Sequence, residues 1–148
     1  MLCDGLNGKQ VVHLGNLALS GTTPAVSSYA DVKGFNKVTL VVVSNTITDA
    51  GTASGYTVTF QDSADTTAAA AASVVAADAV NDTLTLTEVT DGDDNTVLGS
   101  FGYLGTDRYV GVSAVGTTGT DADLSVYAIL EDPHTAPPTL IGTAVART

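Results

Sequence analysis

Residues 36–47 read Asn-Lys-Val-Thr-Leu-Val-Val-Val-Ser-Asn-Thr-Ile, and residues 56–62 read Tyr-Thr-Val-Thr-Phe-Gln-Asp. In the second stretch Tyr56, Val58 and Phe60 alternate with Thr57, Thr59 and Gln61. Successive side chains of a strand point to opposite faces, so this period of two predicts a half-buried strand. In the first stretch the apolar run from Leu40 to Val43, extended by Val38, predicts a strand buried on both faces at its centre. The glycines and small residues at 49–55 predict a loop, which makes 36–47 the hairpin partner of 56–62.

Outward from this pair the same signals recur. Residues 84–89 alternate Leu with Thr, 97–104 and 108–115 read as strands joined by 105–107, and 124–130 reads as the last strand. On the N-terminal side, 11–19 predicts a first strand, 21–24 a turn, and 25–31 the lead into the next element. The five alanines at 68–72 suit helix or strand, and a strand is favoured at 73–77. Residues 91–95 and 116–121 read as turns, and no solenoid-type repeat is present. Many short strands with turn signals every eight to twelve residues predict an all-β fold: an antiparallel β-sandwich or barrel, jelly-roll-like. The polar, Gly-containing start predicts an N-terminal arm at 1–10. Pro133, Pro137 and Pro138 lack amide donors and predict an extended C-terminal arm at 133–148. The β-domain is then 11–132.

Composition agrees. The chain has 148 residues, about one domain by the usual length prior, and such a domain buries roughly two-thirds of its unfolded surface. Apolar residues make up 44%, mostly Ala and Val, with no Trp and three Phe, which predicts a core of small, branched side chains. Thr occurs 23 times; like Val it is β-branched and fits a pleated surface better than a helix. Only 14% of residues are charged, so Thr, Ser, Asn and Gly must supply the surface polarity. The net charge of -11 repels phosphate, which argues against nucleic acid and anionic membranes as partners. A single cysteine, Cys3, excludes an internal disulfide. Residues 1–9 lack a basic start followed by a long apolar run, and 11–19 is interrupted by His13, Gly15 and Asn16. Neither a signal peptide nor a transmembrane span is therefore expected. A Thr- and Gly-rich β-protein without an export signal fits a particle component made in the host cytoplasm and released by lysis.

Motifs for chemistry are sparse. Asp91-Gly92-Asp93-Asp94-Asn95 spaces oxygen ligands as calcium would need them. However, Thr96 stands where the calcium loop needs Gly, and Gly102 where it needs a bidentate Glu. A hairpin turn explains the same residues. Gly111-Val112-Ser113-Ala114-Val115 begins like a nucleophile elbow but ends in Val and sits inside a strand pattern. His13 and His134 lie near opposite ends without partners in sequence, and Cys3 with His13 makes at most half a metal site. No Gly-rich loop precedes a helix, so phosphate cradling lacks support. The expectation is a non-enzymatic protein with no catalytic residue, no metal and no cofactor. Asp107-Arg108-Tyr109-Val110 supports two readings: a strand-start ion pair beside an aromatic, or a subunit or capsid contact, since Arg and Tyr are enriched in interfaces.

Four segments carry a resemblance. Gly34-Phe35-Asn36-Lys37-Val38-Thr39-Leu40-Val41-Val42-Val43 is similar to the first core strand of the small cement or decoration proteins of tailed-bacteriophage capsids. Tyr56-Thr57-Val58-Thr59-Phe60-Gln61-Asp62-Ser63 resembles their second strand, and Asp107-Arg108-Tyr109-Val110-Gly111-Val112 a late Arg-Tyr-Val strand. Pro133-His134-Thr135-Ala136-Pro137 resembles their closing tail. The similarity spans roughly 34–137. It departs from the family where Gly111 replaces an expected second basic residue, and where the alanine run replaces a bulky aromatic. The resemblance implies a virion structural protein on the outer capsid surface. Its partners would be the major capsid protein and other copies of itself, often as a trimer, through terminal arms. The contact residues expected on these grounds are Arg108, Tyr109, Pro133, His134, Pro137 and Pro138. The alternatives are another virion β-domain, such as a head fibre, tail tube or tail tip, and a cell-surface adhesin or carbohydrate-binding module.

Overall fold

The computed structural model describes residues 8–49, 56–65, 72–73, 78–80, 83–86, 95–116 and 121–134. These form β1 (Lys9–Ser20), β2 (Ala25–Val26), β3 (Ala30–Asp31), β4 (Phe35–Asp49), β5 (Tyr56–Ser63) and β6 (Ala72–Ser73). They continue as β7 (Ala79–Val80), β8 (Thr83–Leu86), β9 (Val97–Tyr103), β10 (Tyr109–Gly116) and β11 (Asp121–Pro133). The protein is all-β, and every strand pairing among the described residues is antiparallel.

The strands divide into two sheets. Sheet A has the order β1-β11-β4-β9-β7; sheet B has β2-β10-β5-β6, with β3 also on β10 and β8 also on β5. The pairing is nested. The first strand lies beside the last, β2 and β3 beside β10, β4 beside β9, and β5 closes the series with β6 and β8. Nesting of this kind is the jelly-roll arrangement of two stacked Greek keys. Of the two expected architectures the protein adopts the sandwich.

The core lies between the sheets, where alternation in sequence becomes alternation in burial. Val38, Leu40 and Val42 of β4, Tyr56, Val58 and Phe60 of β5, Val110, Val112 and Ala114 of β10, and Leu124, Val126, Ala128 and Leu130 of β11 are all buried. A fully buried Val, Leu or Phe contributes about 1.5–3 kcal/mol from lost apolar surface. Small branched residues dominate, as composition requires, but aromatic rings bridge the sheets. Phe60 of sheet B meets Phe101 and Tyr103 of sheet A at centroid distances of 5.9 and 5.7 Å.

Several expectations need correction. The 36–47 strand and the 56–62 strand are not hairpin partners: β4 lies in sheet A and β5 in sheet B. The strands around 105–107 separate in the same way, β9 in sheet A and β10 in sheet B. A sandwich folds by repeatedly crossing between sheets, and alternation within one strand carries no record of which strand lies beside it. The centre of β4 buries one face only, since Val41 and Val43 are half-exposed. The first strand begins at Lys9, inside the expected N-terminal arm. Pro133 ends β11 opposite Phe35, so it belongs to the sheet, not to the C-terminal arm. Of the expected strand at 73–77 only Ser73 is described, in the two-residue β6, and of the expected strand at 84–89 residues 84–86 lie in β8; residues 74–77 and 87–90 lie outside the described residues.

Candidate functional site

One end of the sandwich gathers the starts of β1, β4 and β10 and the ends of β3, β5, β9 and β11. The sequence places Arg108 and Tyr109 at the start of β10, and Pro133 and His134 at the end of β11, 24 residues further on. The fold brings both pairs around the loop that joins β3 to β4. Val32 donates its amide to the Arg108 carbonyl at 2.9 Å, and His134 donates its amide to the Gly34 carbonyl at 2.7 Å. Gly34 turns the loop at φ +93, a conformation that L side chains rarely adopt. His134 Nε2 also donates to Asn36 Oδ1 at 2.8 Å, which fixes the ring against the first turn of β4.

Arg108 is held from two sides. Its guanidinium forks onto Asp31, with Nε 3.0 Å from Oδ1 and Nη2 2.6 Å from Oδ2, and it lies 5.0 Å from the centre of the Tyr109 ring. The Asp31 carboxylate also accepts the Lys33 amide at 3.0 Å. The Arg108 hydrogen bond, more than any other contact, pulls the Asp31 carboxyl below its ordinary value. Within the monomer this is the ion pair beside an aromatic that the Asp107-Arg108-Tyr109 motif suggested. Both partners remain open to solvent, at 47% for Arg108 and 43% for Asp31. Lys9–Glu131 and Lys37–Asp132 pair at the same end, so every basic residue described sits there.

Between the β3–β4 loop and the β9–β10 loop lies an open cleft of about 290 Å³, with Lys33, Phe35, Thr106 and Arg108 on its walls. Behind it, Tyr103 donates its hydroxyl to Asp62 Oδ2 at 3.2 Å and accepts the Asp107 amide at 2.8 Å. Burial raises the Tyr103 hydroxyl and, more weakly offset by the tyrosine's hydrogen bond, the Asp62 carboxyl above their ordinary values.

The other candidates scatter. Ser113 stands in the middle of β10, paired with Val26 on one side and Thr59 on the other, so no strand-to-helix elbow forms around it. His13 lies on the outer face of sheet A against the Tyr127 ring at 4.9 Å, donating to Asn16 Oδ1 at 3.1 Å. Among the described residues no group of three or more His, Cys, Asp or Glu is arranged to hold a metal. Cys3, residues 91–94, Pro137 and Pro138 lie outside the described residues. Asn95 adopts φ 55, a conformation favoured at hairpin turns. No helix among the described residues is long and apolar enough to cross a membrane.

Asp31, Gly34 and Asn36 were missed as members of the site. A local signal for Asp31 existed, because Asp-Val-Lys-Gly lets a side-chain oxygen bond the amide two residues on. Its pairing with Arg108, 77 residues away, had none.

Gly111 explains one departure from the resemblance. A Cβ there would lie 3.0 Å from both Ser27 Oγ and the Tyr29 ring. The segment joining β2 to β3 runs along the edge of β10 here, with Ser27 donating its amide to the Val112 carbonyl and accepting the Val112 amide at its Oγ, and it lays the Tyr29 ring over Gly111. No basic side chain fits beneath it.

No family model matches the chain, and no curated protein matches it. Among solved structures, a pilus protein of Bacillus endospore appendages, described as a novel family of disulfide-linked pili, is similar with 17% sequence identity and a TM-score of 0.41. The similarity covers 90% of this chain and 97% of the pilus protein.

Proposed function

We propose that this protein is a structural virion component, a cement or decoration protein that binds the outer surface of a bacteriophage head through one end of its sandwich and the segment beyond it. The observation that carries this reading is the convergence of Arg108, Tyr109, Pro133 and His134 at one end of a rigid β-domain. The chain continues from that point into 135–148, which includes Pro137 and Pro138. Proline fixes φ in advance, so a segment carrying it loses less entropy when it lies down on a neighbour. Arg108 is already oriented by Asp31 and Tyr109, which reduces the ordering cost at the contact. Many copies on one shell would add their modest affinities through multivalency. An acidic chain on the outside of the head avoids repulsion by packaged DNA.

The test compares the full chain with a form ending at residue 134 for cosedimentation with undecorated heads of the source particle. Both are expected to give the same β-rich circular dichroism, and the shortened form to bind at least tenfold more weakly. Equal binding would remove any role for 135–148. If neither form bound heads, the cement reading would fail and a cell-surface adhesin would take its place.

A further inference from the structure

We infer that the cleft between the β3–β4 and β9–β10 loops is the seat of the chain's own Pro137 and Pro138, so that the segment after β11 turns back across this end of the sandwich before it continues. The inference concerns the free protein and does not depend on the capsid reading. The cleft encloses about 290 Å³, with residues 32–35 on one wall and residues 105–108 on the other. It is preformed. The Val32 amide donates to the Arg108 carbonyl at 2.9 Å and ties the two walls together. Under the second wall the Tyr103 hydroxyl accepts the Asp107 amide at 2.8 Å, and a Cβ on Gly105 would lie 2.5 Å from that hydroxyl. The β9–β10 loop therefore rests directly on the Tyr103 ring, and an occupant finds the space already open.

Three observations choose the occupant. The first is where the described chain leads. Pro133 pairs with Phe35, and His134 is fixed by its amide on the Gly34 carbonyl at 2.7 Å and by its ring on Asn36 at 2.8 Å. Gly34 and Phe35 belong to the cleft wall, so residues 135–148 start at its rim. The second is reach. Pro138 stands four residues beyond His134. At about 3.1 Å per residue a proline-bearing extended segment covers about 12 Å over that length, enough to cross a cleft of this volume. The third is chemistry. Val32 and Phe35 are only partly buried and leave apolar surface for a proline ring to cover. A Pro-Pro pair has no amide donor and offers carbonyl oxygens. The walls carry donors to match. Lys33 is exposed and in no ion pair with a described residue, and Arg108 keeps guanidinium N–H groups that Asp31 does not take. Aromatic-lined grooves take proline segments by this combination of ring contact and carbonyl acceptance. The tether at His134 holds the pair at an effective concentration on the order of millimolar, which favours the chain's own prolines over those of a second copy.

Backbone NMR relaxation of the full chain, without capsids, tests the proposal. Thr139, the first residue past the prolines, is expected to show an order parameter near the rigid value of about 0.85 in the wild type, and below about 0.6 when Pro137→Ser and Pro138→Ser are combined. In that double variant the amide signals of Gly105 and Thr106 should move, while those of Ser20 and Gly21 at the opposite end stay. Thr106→Trp fills the cleft from an exposed loop position, leaves the circular dichroism unchanged and should release Thr139 as well. A wild type in which Thr139 is already mobile overturns the proposal. So does a double variant that leaves the Gly105 and Thr106 signals in place, because the prolines then do not touch that wall. A Thr106→Trp variant that keeps Thr139 rigid puts the seat elsewhere. Rigidity that appears only at concentrations where the chain sediments as a dimer assigns the cleft to a second copy's prolines and overturns the intramolecular reading.

Discussion

The two outer faces of the sandwich are built from strands of the same kind and are finished differently. On sheet B, Thr57, Thr59, Gln61 and Ser113 point outward, and the segment between β2 and β3 runs along the edge of β10 opposite β5. There Tyr29 covers Gly111 and donates its hydroxyl to Gln61 at 3.0 Å. On sheet A, Val11, Val41, Val43, Tyr127 and Ile129 point outward, and no described segment of the chain lies across them. One face is polar and strapped, the other apolar and open. The lesson is that β-branched residues satisfy strand geometry on either face. A valine run such as Leu40 to Val43 therefore marks a strand without saying how many of its faces the core will claim.

The largest effect should come from breaking the strap. Gly111→Lys puts a side chain where the Ser27 hydroxyl and Tyr29 ring already sit. Overpacking of this kind costs about 1–3 kcal/mol, and urea unfolding should show a loss at or above the top of that range because a charge is forced beneath the Tyr29 ring as well. The Tyr29–Gln61 bond should be lost with it.

The open face is sharpened by two neighbouring substitutions of identical chemistry. Val42, fully buried, and Val41, half-exposed, are adjacent in β4. Val42→Thr buries a hydroxyl among apolar neighbours and should cost about 1–3 kcal/mol. Val41→Thr should stay within about 0.5 kcal/mol, as surface changes do. Equal losses would mean that the outer face is packed as tightly as the inner one.

The smallest effects concern two carboxylates at the shared end of the sheets, and they should have opposite signs. Arg108 lowers the Asp31 carboxyl, so its contribution is present at pH values above the ordinary carboxylate value of about 3.9. That contribution is lost as pH falls through the lowered folded-state value. Asp31→Asn should therefore lower the melting temperature at pH 7 and converge with the wild type in acid. Burial raises Asp62, so its contribution favours the fold in acid and is lost as pH rises through the raised folded-state value. Asp62→Asn keeps an oxygen to accept from Tyr103 and should raise the melting temperature at pH 7, with the gain vanishing in acid. Melting curves from pH 3 to 8 read both.

Much of the fold was legible in particular residues. The Tyr56, Val58, Phe60 alternation gave β5 its core face, and the stretch from 36 to 47 gave the body of β4. Arg108 and Tyr109 were singled out with Pro133 and His134, and all four meet at one end. What could not be read was adjacency. Nothing in residues 36–62 records that β4 takes β11 and β9 as neighbours while β5 takes β10. The two-residue strands β2 and β3 are too short to carry a period, yet they hold the strap over Gly111.

The sequence by itself determined the strand class, the spacing of the strands and most inward-facing residues, because a period of two is a property of the backbone that each segment carries alone. Only the tertiary structure decided which strands share a sheet, why Gly111 must be glycine, how Asp31 reaches Arg108, and which outer face stays apolar. Each of these depends on two segments far apart in the chain, and their meeting is settled by packing the whole core at once.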